Sequence, residues 1–184
     1  DKDSLFIQGC MFLENEDYMQ EAAKHFKSLA DKGNVKSMVK YGDVVRKGIG
    51  VEEDKETAEF YYKKAADNDD FIGMLHYSNI IKKKQKAESE RYLKLAIEQG
   101  YDEARFQYAI MLRKGDGIPV NRKESNKYFI LAIENENPKI IYYYANLLYE
   151  ENYKKDASKY YKILADNLNY RGLFKYATML DEGD

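Results

Sequence analysis

The sequence predicts an all-α solenoid of about five and a half antiparallel helix-pair repeats, and three observations carry that prediction. An alanine recurs at Ala30, Ala66, Ala96, Ala132 and Ala165, with an aromatic four residues before each: Phe26, Tyr62, Tyr92, Tyr128 and Tyr161. A small residue recurs at Gly9, Gly42, Ser78, Ala109, Ala145 and Ala177, and three positions later stand Phe12, Val45, Ile81, Leu112, Leu148 and Leu180. Two prolines and 11 glycines leave 184 residues little punctuation, while Ala, Leu, Glu and Lys recur at helical spacing.

Each repeat therefore holds a helix A carrying the small residue and a helix B carrying the alanine. Small residues at fixed positions let helix axes approach to about 8 to 10 Å, with the aromatics filling the grooves alongside. Taken in order, the repeats fall at about 1–34, 35–69, 70–100, 101–137 and 138–169, with the first helix of a sixth in 170–184, all one domain over 1–184. From each alanine to the next small residue the chain runs 12, 12, 13, 13 and 12 residues, so the turn from B to the next A is nearly fixed. From small residue to alanine it runs 21, 24, 18, 23 and 20, which puts the variable loop between A and B. Stacking predicts that asymmetry, because the inter-repeat turn is packed on both sides and the other loop projects into solvent. Gly183-Asp184 follows Leu180 as Gly115-Asp116 follows Leu112. The chain is thus expected to stop inside an A-to-B loop, to belong to a longer protein, and to expose apolar surface on 170–181 unless something covers it.

Composition removes several function classes. Lys+Arg number 30 against 32 Asp+Glu, a formal net charge of -2, whereas nucleic-acid binders draw most of their affinity from a basic excess or a basic face. Cys10 is the single cysteine, so no intrachain disulfide framework exists, and the chain carries no Asn-x-Ser/Thr. No apolar run approaches the roughly 18 residues of a membrane span, and Asp1-Lys2-Asp3-Ser4 is unlike a signal peptide. The expected location is cytoplasmic, with no membrane and no nucleic-acid partner.

Two repeats carry a family resemblance. In 37–69 it rests on Ser37, Tyr41-Gly42, Val45, Gly48-Ile49-Gly50-Val51, Asp54, Ala58, Tyr61-Tyr62 and Lys64-Ala65-Ala66. In 104–137 it rests on Ala104, Tyr108-Ala109, Leu112, Gly115-Asp116-Gly117-Ile118, Asn121, Tyr128 and Ala132. Both resemble the Sel-one-like repeat, a relative of the tetratricopeptide repeat with a longer, glycine-containing A-to-B loop. The third and fifth repeats lack the Gly-x-Gly loop and the first has Asn15-Glu16-Asp17 in its place. The resemblance implies a right-handed α/α superhelix that serves as a scaffold or adaptor for protein complexes. Some relatives carry a disulfide in each repeat, from which the lone Cys10 separates this chain; others are adaptors of ubiquitin ligases.

No chemical motif competes with that reading. Gly48-Ile49-Gly50 and Gly115-Asp116-Gly117 follow no strand and lack the third glycine or Gly-Lys-Ser/Thr of a phosphate loop, so they read as turns. Asp67-Asn68-Asp69-Asp70 has Ile72 and Ser78 where a calcium loop needs Gly and Glu, and reads as a helix-ending turn. His25 and His76 lie in different repeats, and His25 shares its position with Tyr61, Arg91, Lys127 and Tyr160. No convergent ionisable set is found, so the expectation is no enzyme, no catalytic residue, no cofactor and no metal.

The resemblance also implies that the A helices line the concave face, where positions one, four and five after the small residue point into the groove. These positions give Asp43, Arg46 and Lys47, then Asn79, Lys82 and Lys83, then Arg113 and Lys114, then Asn146 and Tyr149. The six basic residues form a stripe suited to an acidic peptide or protein segment, with Asn79 and Asn146 available to its backbone. The alternatives are that the cations merely complement helix C-termini, that the chain is an adaptor of ubiquitin-dependent degradation, or that it is an RNA-binding helical repeat. The last needs a base-reading pair in every repeat, which is not found.

Overall fold

A computed structural model describes residues 2–183, without the side chains of Lys2 and Glu182; Asp184, and with it half of the Gly183-Asp184 pair, lies outside the described residues. Eleven α-helices and no strand are found among the described residues. The A helices are α1 (Lys2–Leu13), α3 (Val35–Lys47), α5 (Phe71–Ile81), α7 (Asp102–Lys114), α9 (Pro138–Glu150) and α11 (Tyr170–Glu182). The B helices are α2 (Met19–Asp31), α4 (Lys55–Ala66), α6 (Lys86–Glu98), α8 (Arg122–Ala132) and α10 (Lys154–Asp166), α2 being preceded by a 3-10 turn at Glu16–Tyr18. Among the described residues no helix is long and apolar enough to cross a membrane. The contacts fall into two compact units, one running to Ala104 with residues 116–118, the other comprising Arg105–Gly115 and the chain from Pro119.

In the first unit each helix packs on its sequence neighbour from α1 to α6. The small residues act as expected: a Cβ on Gly42 would lie 2.6 Å from the Tyr62 ring and one on Gly9 would lie 2.8 Å from the Phe26 ring, so the aromatic of B sits directly over the small residue of A. Gly48 and Gly50 both take positive φ, 67° and 66°, and a Cβ on Gly50 would come within 2.3 Å of the Met19 carbonyl. The Gly-x-Gly segment is therefore a turn pressed onto the preceding repeat, where no side chain fits. A polar link also recurs between repeats. Tyr61 donates to Asp31 at 2.6 Å and Asp31 pairs with Lys27 at 2.8 Å; Tyr92 donates to Asp67, which lies 3.4 Å from Lys63. The Lys27 hydrogen bond, and after it that of Tyr61, holds the Asp31 carboxyl below its ordinary range.

In the second unit α9 packs on α10 and α10 on α11, around Phe129, Ala145, Ala157, Tyr161 and Leu164. On α11, Leu173, Phe174 and Leu180 are 54%, 71% and 59% exposed, while Met38, Val39 and Val45 at the same repeat positions are at most 6% exposed. The difference is a partner helix, since α4 packs on α3 and no B helix follows α11 among the described residues. The apolar surface expected on 170–181 is present.

The packing corrects the repeat register by one residue in the third and fourth repeats. Tyr41 meets Tyr61 edge to face at 4.8 Å, and the same contact joins Tyr77 to Tyr92 at 5.1 Å, Tyr108 to Tyr128 at 4.9 Å and Tyr144 to Tyr160 at 5.1 Å. Tyr92 and Tyr128 thus belong with Tyr61 and Tyr160, not with Tyr62 and Tyr161, whose places are taken by the buried Leu93 and Phe129. His25 consequently shares its position with four tyrosines rather than with Arg91 and Lys127. The small residue that B turns toward A is Ala22, Ala58, Ser89, Ser125 or Ala157, each fully buried. Its serines find partners there, Ser89 Oγ donating to the Ser78 carbonyl at 3.0 Å and Ser125 Oγ to that of Ala109 at 2.8 Å. Counted in this register, the step from Ala30, Ala66, Ile97, Ile133 or Ala165 to the next small residue is 12 residues every time.

A common turn explains the fixed step. The residue nine before each small residue has positive φ: Gly33, Asp69, Gly100, Glu136 and Leu168. The next residue caps helix A in four of the five turns, where Asn34, Asp70, Asn137 and Asn169 accept from backbone N–H groups of Ser37, Gly73, Lys139 and Gly172.

Candidate functional site

In the first unit Asp43 and Arg46 of α3 and His76 and Asn79 of α5 gather about a tyrosine of α4. Tyr62 donates its hydroxyl to Asp43 at 2.8 Å and accepts from Nε of Arg46 at 3.2 Å, so both residues one and four after Gly42 are tied to the aromatic that covers Gly42. Burial, reinforced by the bond to Asp43, pushes the Tyr62 phenol well above its ordinary range, so it stays a neutral donor. His76 of α5 stacks on the same ring with centroids 4.9 Å apart, and its Nε2 lies 3.7 Å from Asp43. Burial lowers its pKa from the ordinary 6.5, opposed by Asp43 and supported by Arg46 and Lys47. Arg46, Tyr62, His76 and Asn79, with Glu53, Lys55 and Ile80, line an open cavity of about 540 Å³. Lys55 pairs with Glu53 at 3.3 Å on its rim.

Of the other expected residues in this unit, Lys47, Asn79 and Lys83 are exposed. Lys82 is half-buried and bound to Asp116 at 2.8 Å, so its charge is already compensated.

In the second unit Arg113 departs from expectation. Its side chain is 7% exposed; Nη1 lies 3.2 Å from Glu151 and Nη2 donates to Asn126. An arginine expected to face a partner is instead a buried cation between α8 and the end of α9. Lys114 is exposed. Asn146 accepts from the Tyr161 hydroxyl at 2.6 Å, which commits its carbonyl oxygen to the interior. Tyr149 is half-buried, with the Lys154 and Lys175 ammonium groups 5.8 and 5.6 Å from its ring centre.

The sequence reading passed over His76, Glu53 and Lys55. One signal was present for His76: it stands three residues before Asn79, hence on the same helix face as a residue already placed in the groove. Among the described residues no group of three or more His, Cys, Asp or Glu side chains is placed to hold a metal ion.

Comparison with known proteins agrees with this architecture. The Sel1 repeat matches residues 35–70, 73–101 and 102–137, just over half of the chain and close to the second, third and fourth repeats defined above. No curated protein matches the sequence. Among solved structures, a protective antigen present in uropathogenic Escherichia coli strains and displaying an SLR fold superposes with a TM-score of 0.72 at 20% identity, over 100% of this chain and 42% of that one. A Sel1 repeat protein from Oxalobacter formigenes gives 0.77 at 19% identity, over 97% of this chain and 78% of that one. The present chain thus spans less than half the length of the first of these proteins. With the fold shared at that level and three repeats matched in sequence, the chain belongs to the Sel1 repeat family, whose members are in general protein–protein interaction scaffolds.

Proposed function

We propose that this protein is a non-catalytic scaffold that binds an acidic segment of another protein along its A helices. The observation that supports this most is the run of exposed cations at matching repeat positions in the first unit, Arg46, Lys47 and Lys83, beside an open cavity and the exposed Asn79. Exposed cations give an approaching acidic chain a favourable field and leave room for charge-assisted hydrogen bonds, while costing little to hold in water. Lys114 and Tyr149 occupy the same positions in the second unit and are offered as its contribution; Arg113 and Lys82 are left out of the contact set because each already has an acidic partner. A cytoplasmic location is part of the proposal and is checked by imaging the tagged protein.

The test is retention of cellular proteins on the immobilised chain, eluted by a salt step, against a variant carrying Arg46→Glu, Lys47→Glu and Lys83→Glu. Helicity should be unchanged, and the salt-eluted acidic proteins should be absent from the variant column. Equal retention on both columns overturns the proposal. A nuclease-sensitive RNA fraction would move the assignment to the nucleic-acid class. An adaptor of ubiquitin-dependent degradation would use the same face, and a ligase subunit retained only by the unmodified chain is its signature.

A further inference from the structure

We propose that the cavity between α3, α4 and α5 is an anchoring subsite for a single carboxylate of the bound acidic segment, and that His76 makes its occupation proton-linked. The inference rests on the acidic-partner reading above and assigns it a specific anchor.

The donors are positioned and partly unspent. Tyr62 takes up Nε of Arg46 and so orients the guanidinium, and among the described residues no acidic group pairs with its two amino nitrogens. Asn79 makes no side-chain hydrogen bond among the described residues and lies on the same face of α5 as His76. The cavity volume, about 540 Å³, is within the range of small-ligand sites, about 300 to 1,000 Å³. A carboxylate there could accept from Arg46 in bidentate fashion and from Asn79 and an imidazolium beside it.

Charge decides when that happens. The groups around the site are Asp43, Arg46 and Lys47 of α3, Glu53 and Lys55 before and at the start of α4, and Asp70 at the head of α5. Taken together Arg46, Lys47 and Lys55 are matched by Asp43, Glu53 and Asp70, so with a neutral imidazole the groups around the site carry no net charge to attract an anion. Protonation of His76 supplies the missing positive charge, and a bound carboxylate in turn favours the protonated form. In the free protein the imidazole titrates below 6.5, because burial disfavours its charge. The complex therefore takes up a proton, and affinity rises as pH falls below the ordinary imidazole range while glutamate side chains remain ionised.

The probe is a fluorescein-labelled tetraglutamate peptide, with tetraglutamine as control, titrated by polarisation at pH 7.5 and 5.5. The unmodified protein should bind tetraglutamate at least threefold more tightly at the lower pH. His76→Gln should remove that gain, and Lys83→Glu should weaken binding at both pH values while keeping it. The chain has two histidines, so the imidazole proton of His76 is assigned by its absence from the His76→Gln spectrum, and its pKa should rise when peptide is added. An equal gain in His76→Gln, or a His76 pKa that peptide does not move, overturns the anchor and leaves the acidic-partner reading standing. No binding of tetraglutamate at either pH overturns both.

Discussion

Arg46 and Arg113 occupy one position in the repeat, each four residues after the small residue and two before a Gly-x-Gly turn, yet Arg46 is exposed and the Arg113 side chain is buried. The difference comes from residues the repeat supplies from elsewhere. Six positions after the next small residue the chain has Glu151, which pairs with Arg113 at 3.2 Å, whereas the equivalent place for Arg46 holds Lys84, which offers a guanidinium no such pairing. The aromatic of the same repeat adds to it: Tyr62 offers Arg46 an oxygen, and Phe129 offers Arg113 none. A basic residue at this repeat position is thus left exposed only where the neighbouring repeat offers it no acid.

The largest effect that could break this comparison is on stability. Arg113→Ala leaves the carboxylate of Glu151, itself 18% exposed, without its cation, and should cost about 3 kcal/mol in denaturant unfolding. Arg46→Ala should cost under about 1 kcal/mol, as for other exposed charges. Equal losses would mean that the two arginines do the same structural work. Next in size is Tyr62→Phe, which makes the second repeat resemble the fourth. It removes the donor to Asp43 and should lower stability by about 1 kcal/mol, with Arg46 losing its fixed orientation and acidic-peptide affinity falling. Lys84→Glu gives Arg46 the counterpart of Glu151. About 0.5 kcal/mol of added stability is expected from the new exposed pair, together with weaker capture of acidic peptide because the guanidinium is now engaged. The smallest effect concerns the inter-repeat turns, another case of one position filled unequally. Leu168 is 91% exposed with φ 57°, where Gly33 and Gly100 have φ 86°. Leu168→Gly should raise the melting temperature slightly, a gain of about 0.5 kcal/mol, relief of the left-handed strain being partly offset by chain entropy.

The fold was legible because close helix contact leaves few options: Gly42 must be small under the Tyr62 ring, and a recurrence at six places cannot be produced by surface composition. The one-residue slip in two repeats has an equally physical cause. In helix B the positions seven and eight after the small residue both face the interior, so Ala96 and Ala132 at the seventh imitate Ala30 and Ala66 at the eighth. Only the tyrosine pairs, which need two helices to be seen, separate them. The surroundings of each candidate position were legible along one helix and not across helices. Counting along α3 suffices to expect Arg46 and Lys47 at the exposed end of that helix, but the burial of Arg113 depends on Glu151 in another repeat, and a lone histidine such as His76 carries no mark of the ring it stacks on.

The constant 12-residue step has a mechanical meaning. Each residue of an α-helix turns its side chain by about 100°. Removing one residue between Ala30 and Gly42 would rotate the seam of α3 by that amount and carry Val44 and Val45 out of the interior they now fill. The loops from A to B bear no such phase relation, and from small residue to small residue they already run 13, 16, 11, 16 and 12 residues. The molecule behaves as a gear train with slack in every second coupling: the short turn after α5 leaves room for added length, whereas after α3 the added residues already fold back as the Gly48-Ile49-Gly50 turn against Met19.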